Sequence, residues 1–292
     1  MIYEFAIAPI LFTEWRDLRF FLQTFGREEG RLLSDIPRKK WMNMTRKEIN
    51  ASDNGQVMKK RLKAGIERLA RKAIYRRNTV PEVESELWID HALEAHSNRP
   101  LQAILTDNHD GGDESIIIND RDFTDDTRWK IPLDATVERS ADRMVQTIQP
   151  MLDCSREIIL IDRNFDPDKY RWRPFLLELA SILSQRPFSP SINKIGFHVG
   201  DDIAENHLEL LCRNHIEKNM PDNMQIMFFL WPRDELHDRY VLTDIGGVRF
   251  GIGMDIYDGQ GPEEVEISRI SEGTLGKWWS LCKTKTAAFS IP

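Results

Sequence analysis

At 292 residues the chain can bury one large core or two of typical domain size, and 41% hydrophobic with 30% charged residues is an ordinary globular balance. No stretch reaches the roughly 18 uncharged apolar residues that span a bilayer; the apolar opening, residues 1–12, carries Glu4 and lacks the basic start of a signal peptide. Cys154, Cys212 and Cys282 lie far apart with no Cys-x-x-Cys pair, which argues against a zinc site and for a reducing, cytoplasmic setting.

The first region, residues 1–130, reads as basic, mixed in structure and largely helical. Residues 2–7 are a strand candidate. Trp15, Leu18, Phe20, Phe21 and Phe25 are too dense for one helix face and are expected to be buried against the next segment. Residues 26–30 break the pattern. From Arg38 to Arg77 fourteen Lys/Arg face three acids, a local charge of +11 that leaves −18 over the rest of a chain of net charge −7. Such segregation points to a polyanionic partner, or to the chain's own acidic part. Residues 58–77 read as one long amphipathic helix with Leu62, Ile66, Leu69, Ala73 and Ile74 as its apolar stripe. Lys59, Lys60, Lys63, Arg71 and Arg77 project from the remaining surface. With Lys39 and Lys40 ahead of them they form the candidate nucleic-acid surface. An anionic membrane and a plain solvated face are the competing readings. Residues 82–95 read as helix, and residues 101–105 and 116–118 as strands. The acidic loop of residues 107–114, with His109, has oxygen ligands for a divalent cation but not the calcium-loop spacing, and reads as an exposed turn. The domain boundary falls near residues 125–135.

From residue 131 to 292 the pattern is regular. Helices are expected at residues 137–152, 174–184 and 203–218, and from Leu275. Strands are expected at residues 157–162, 194–199, 224–231, 240–242 and 265–270, with Gly246 and Gly247 turning the chain into a second strand after the fourth of these. Strands alternating with helices imply an α/β layered sheet covered on both faces. No internal repeat is present. Ligands of such sheets gather at the carboxyl ends of strands. There Asp162 ends a buried strand, and the loop after it carries Arg163, Lys169, Arg171 and Arg173 interleaved with Tyr170 and Trp172. Phosphate contact plus base stacking is one reading of that loop; aromatics covering a core edge is the other. His91 and His96 fall five apart, wrong for a pair on one helix face; His207 and His215, eight apart, could be aligned by a helix, but no carboxylate–His motif supports either pair as metal ligands. No metal or other cofactor is expected.

One motif carries chemistry. His237-x-Arg239 precedes a short apolar strand, Asp244 follows Arg239 by five residues, and Gly251-x-Gly253-x-Asp255 comes next. On a strand His237 and Arg239 would share a face. The imidazole could attack phosphorus, the guanidinium could hold phosphate oxygens, and Asp244 could orient an imidazole. This spacing resembles the HxKx4D motif of the phospholipase D superfamily, with Arg in place of Lys. The family's Gly-Ser-x-Asn turn would fall at Gly251-Ile252-Gly253-Met254, where Ser and Asn are missing. The His-Asp-Arg tripeptide followed by Gly-x-Gly-x-Asp is locally more similar to the C-terminal phospholipase-D-like domain of MIT-domain proteins, which binds membranes and dimerises.

The resemblance covers about the last half of the chain and implies a phospholipase-D-like α/β fold. It also implies a metal-independent mechanism: one His attacks phosphorus, and a second His from another motif copy protonates the leaving group. This chain has one copy, so the mechanism would need a homodimer. In that reading His237, Arg239 and Asp244 are catalytic, and Gly251, Gly253, Asp255, Asp162, Arg171 and Arg173 contact the phosphate. The expected activity is a nuclease, by fold-level analogy one of bacterial antiviral defence. A catalytically inactive module that binds nucleic acid or assembles a larger complex is the second reading. A peripheral membrane binder is the third, disfavoured by the basic first region.

Overall fold

The structure, a computed structural model, describes residues 1–77, 83–107, 116–118, 123–186 and 191–292. The chain is α/β throughout and divides into two units, Ile2–Ile131 and Pro132–Pro292, the latter with Met1.

In the first unit the described strands are β1 (Tyr3–Ile7), β2 (Arg31–Ser34), β3 (Ile74–Tyr75), β4 (Ala103–Leu105) and β5 (Ile117–Ile118). They form one sheet in the order β3-β2-β1-β4-β5, with every pairing parallel. Helices α1 (Trp15–Thr24), α2 (Trp41–Ala51), α3 (Gln56–Ala73) and α4 (Trp88–Asn98) make the connections. The region is rich in helix as expected, but it is organised on a parallel sheet. Two of its strands do not stand out in the sequence: β3 is two residues long, and β2 follows directly on the break at residues 26–30. Leu62, Ile66, Leu69 and Ala73 are the buried stripe of α3, which packs on α1. Gly65 makes the close approach possible, since a Cβ there would fall 2.6 Å from Leu18 Cδ2.

α3 ends at Ala73, four residues short of its expected end, because the chain turns there into β3. That turn takes Arg77 inside. Arg77 is buried, donates to both oxygens of Glu4 on β1 at 2.8 and 3.1 Å, and shares that carboxylate with Arg99. Burial pushes the Glu4 carboxyl up, and the two guanidiniums outweigh it, leaving the group below its ordinary value. The helix expected at residues 82–95 begins at Trp88. Of the acidic loop at residues 107–114, only Asp107 lies within the described residues.

The second unit is an eight-stranded sheet. Its strands are β6 (Asp134–Glu138), β7 (Ile158–Ile161), β8 (Lys194–Gly200), β9 (Gln225–Trp231), β10 (Tyr240–Thr243), β11 (Gly246–Phe250), β12 (Glu264–Arg269) and β13 (Phe289–Ile291). The order is β13-β9-β8-β7-β10-β11-β12-β6. β7, β8 and β9 are parallel, and the remaining pairings are antiparallel. Helices α5 (Ala141–Cys154), α6 (Arg173–Gln185), α7 (Glu205–His215) and α8 (Glu272–Lys283) complete the unit. The expected helix over residues 137–152 is instead β6 followed by α5, with Arg139 at the junction. β6 escapes the sequence pattern because it pairs only with β12 and buries neither face fully. The hairpin turn falls at Asp244-Ile245, fastened by Thr243, whose hydroxyl donates to Gly246 O at 2.8 Å. Gly246 and Gly247 lie in β11 rather than in the turn. A Cβ on Gly247 would come within 2.9 Å of both Ile270 and Leu242, so glycine lets Ile270 lie against the strand. Among the described residues no helix is long and apolar enough to cross a membrane.

Candidate functional site

β7 is an Ile-Ile-Leu-Ile run, buried at every position, and it delivers Asp162 to the carboxyl edge of the sheet. β10 runs antiparallel beside it and pairs Tyr240 with Ile161. The residue before Tyr240 therefore faces the residue after Ile161, and Arg239 Nε lies 4.0 Å from Asp162 Oδ1. β8 and β9 run parallel to β7, so Gly200 and Trp231 end on the same edge. Open α/β sheets gather ligands at that edge. His237 lies there too, on the loop from β9 to β10. It is exposed, and no hydrogen-bond or ion-pair partner among the described residues engages its imidazole. Arg163, next after Asp162, donates from Nη1 to the carbonyl of Leu236 at 3.3 Å and so braces the backbone beside His237.

The segment after β11 closes the other side. Gly253 has φ +144°, and a Cβ there would fall 2.5 Å from Asp255 Oδ1, while Asp162 Oδ2 stands at an ordinary 3.8 Å. Glycine is required both by the backbone and by the Asp255 carboxylate. Asp255 is buried; it accepts from Arg139 Nη2 at 2.7 Å and lies 3.3 Å from Arg171 Nε. Arg171 also donates to Asp258 at 3.2 Å, and Arg139 to the carbonyl of Pro262 at 2.8 Å. Arg139, Arg163, Lys169, Arg171 and Arg233, with Asp166, Asp202 and Asp255, are among the walls of a cavity of about 510 Å³. Five cations against three carboxylates leave it positive. Arg139 escapes a reading of the sequence because the β6–α5 junction looks there like the first turn of a helix.

Two carboxyls at this edge are perturbed. Burial pushes Asp162 up to about 6 against the pull of the Asn164 and Met254 amides and the Arg239 guanidinium, and the nearby Asp255 adds to the rise. Burial raises Asp255 as well, with Arg139 and Arg171 opposing it. Burial is the leading cause at both carboxyls.

The edge thus unites His237, Arg239, Asp162, Gly253, Asp255 and Arg171. It does not include Asp244, which sits beyond the far end of β10. There its Oδ1 accepts the amides of Arg156 at 2.7 Å and Glu157 at 3.3 Å. A four-residue strand, some 13 Å at about 3.3 Å per residue, separates it from the His237 edge. Within one chain Asp244 cannot orient His237; it pins the start of β7. Arg173 is committed to its own loop, donating to the carbonyls of Pro167 and Asp168 at 2.7 and 2.8 Å. Gly251 continues the β11–β12 ladder, its amide donating to Glu266 O at 2.9 Å, and a Cβ there would meet only ordinary contacts.

In the first unit Arg77 leaves the set of surface cations for the buried pair with Glu4. Lys59 is half-buried and donates to Asn50 O at 2.7 Å. Lys39, Lys40, Lys60 and Arg71 are exposed and Lys63 is partly so. Arg68, also exposed, falls eight residues after Lys60 and three before Arg71, which places the three on one outward row of α3.

No family model matches the chain, and no curated protein matches it. The chain is similar to the solved structure of TrmBL2, described as an archaeal chromatin protein with a novel mode of DNA binding, at a TM-score of 0.30 and 8% identity. That match takes in 55% of this chain and 52% of the other, about half of its length. A likeness of this size carries no inference about function.

Proposed function

We propose that the second unit is a phospholipase-D-like phosphodiester site that serves nucleic acid. The observation that carries this reading is the unpartnered, exposed His237 at a sheet edge shared with Arg239, Asp162 and a positive cavity. A phosphate entering the edge would meet Arg239, whose guanidinium offers a bidentate fork to non-bridging oxygens. His237 would attack phosphorus, forming a P–N bond as the P–O bond to the leaving group breaks. The leaving oxygen takes a proton from the His237 of a second copy. Water then releases the phosphate from the imidazole and returns the proton. The proposed enzyme is a homodimer, with no metal in the chemistry. In the first unit, the row of Lys60, Arg68 and Arg71 with Lys39 and Lys40 would track a nucleic-acid backbone.

One observation favours binding without turnover. Gly251-Ile252-Gly253-Met254 offers no Ser or Asn side chain, and Arg171 is already shared between Asp255 and Asp258. That lowers the supply of donors for a transition state.

The test is cleavage of labelled single- and double-stranded DNA and RNA by the full chain in EDTA, beside His237→Ala. Cleavage that persists in EDTA and vanishes in the variant supports the enzyme. No cleavage, with tight salt-sensitive binding by both proteins, replaces it with the binding module. No binding at any salt rejects both.

A further inference from the structure

A second cavity shares no wall residue with the first. It has a volume of about 380 Å³ and opens over the β7-β8-β9 part of the sheet. Register explains its floor: Ile159, Gly196 and Met227 are paired across the three strands, and His198 is paired with Phe229 one row on. Paired residues share a face of the sheet. On this face α8 packs Trp278 and Cys282 on Ile159, Ile161, Tyr240 and Leu242. The Gly196, Met227 and Phe229 side is left only half-buried. Gly196 has no side chain to fill the space, although a Cβ there would sit no closer than 3.6 Å to any neighbour. Sterics therefore do not require glycine; its effect is to keep the floor open.

One polar group reaches this apolar floor. His198 is 1% exposed, stacks on Phe229 at 4.4 Å between ring centroids, and accepts the Trp231 indole N–H on Nδ1 at 2.8 Å. That bond leaves the hydrogen on Nε2, which lies 3.9 Å from where a Gly196 Cβ would stand. No partner among the described residues takes that N–H. Burial, with Lys285 in second place, lowers the ring to about 3, so it stays neutral and a donor. The rim is basic: Arg156, Lys194, Lys283 and Lys285 against Glu157. Glu157 holds Lys283, while Lys285 lies 3.9 Å over the Trp231 ring and 3.6 Å from Glu235. Arg156 and Lys194 are exposed.

We infer that this cavity binds a small aromatic anion of mononucleotide size. Its flat ring system would lie over Gly196 between Ile159 and Phe229, with a ring acceptor on His198 Nε2 and its charge at Lys194 and Arg156. The size and the few convergent polar groups in an apolar wall are those of a small-molecule site. A floor with a single donor favours a heteroaromatic acceptor over an aliphatic tail. The inference is independent of the phosphodiester reading, which concerns another set of residues.

The experiment is calorimetric titration of the full chain with ADP, adenosine and octanoate. The variants are Gly196→Leu, whose Cβ would meet no atom closer than 3.6 Å and whose branches would occupy the floor, Lys194→Glu on the rim, and His237→Ala at the other site. Saturable ADP binding is expected, weakened about tenfold or more by Gly196→Leu and by Lys194→Glu, and unchanged by His237→Ala. Adenosine and octanoate should each bind about tenfold more weakly than ADP. Circular dichroism should show Gly196→Leu folded; if it is not, Lys194→Glu carries the decision. No ADP binding up to millimolar concentration overturns the inference. So does octanoate binding as tightly as ADP, or ADP binding that the two cavity variants leave intact.

Discussion

Asp162 carries its negative charge in a fully buried position, 4.0 Å from Arg239. Its folded value of about 6 lies above the ordinary 3.8, so the folded protein holds this proton more tightly than the unfolded chain does. Stability from this group is therefore greatest at low pH and falls as pH rises between about 4 and 6. The loss is complete above that window and amounts to roughly 3 kcal/mol. Asp162→Asn keeps an acceptor for the Asn164 amide and removes the charge. It is expected to be more stable than the parent at pH 7 by about 1–3 kcal/mol, with the gap closing toward pH 4. Denaturant melts across that pH range check the sign. The sequence reveals Asp162, at the end of an apolar run, but its pairing with Arg239 comes only from strand register. Arg77 shows the opposite failure. It reads as the last surface cation of a helix and is buried because the helix stops at Ala73 and a two-residue strand carries it to Glu4.

At the scale of elements, β10 decides what the motif can do. Its four buried residues place Arg239 and His237 at one edge of the sheet and Asp244 at the other. Asp244→Ala should leave salt-dependent nucleic-acid binding unchanged, because Asp244 holds two backbone amides at the start of β7 and touches nothing at the His237 edge. It should destabilise the protein by about 1 kcal/mol or less, since the two amides are exposed and water replaces the carboxylate. Loss of binding without loss of stability would return Asp244 to the site. β7 and β10 are buried at every position, and β8 and β9 carry mostly apolar side chains on both faces, so all four read as near-continuous apolar runs in the sequence. β6 and β13 are not, since each pairs on one side only and has few fully buried residues. Arg139, which locks Asp255, is lost to a sequence reading together with β6.

At the scale of the molecule, charge is spread unevenly along a chain whose net charge is −7. Fewer of the fourteen cations between Arg38 and Arg77 are free than their number implies. Arg46, Lys72 and Arg77 face Glu67, Glu29 and Glu4, and Arg61 lies 3.8 Å over the Trp15 ring. The exposed row on α3 remains. Reversing it, with Lys60, Arg68 and Arg71 all changed to Glu, should weaken DNA or RNA binding by the whole chain. It should also lower the slope of log affinity against log salt by about 2–3, since each phosphate that a cation neutralises adds about 0.9 to that slope. Fluorescence anisotropy over a salt series reads both. An unchanged slope would remove this row from the interface.

The central claim is that His237 attacks phosphorus. Its most direct test is to mix the full chain with a labelled oligonucleotide in EDTA, quench the reaction and look for a covalent phosphohistidine. An acid-labile, alkali-stable adduct is expected on the peptide that contains His237, absent in His237→Ala. A chain that binds the oligonucleotide tightly as a dimer, yet forms no adduct and no product, would contradict it.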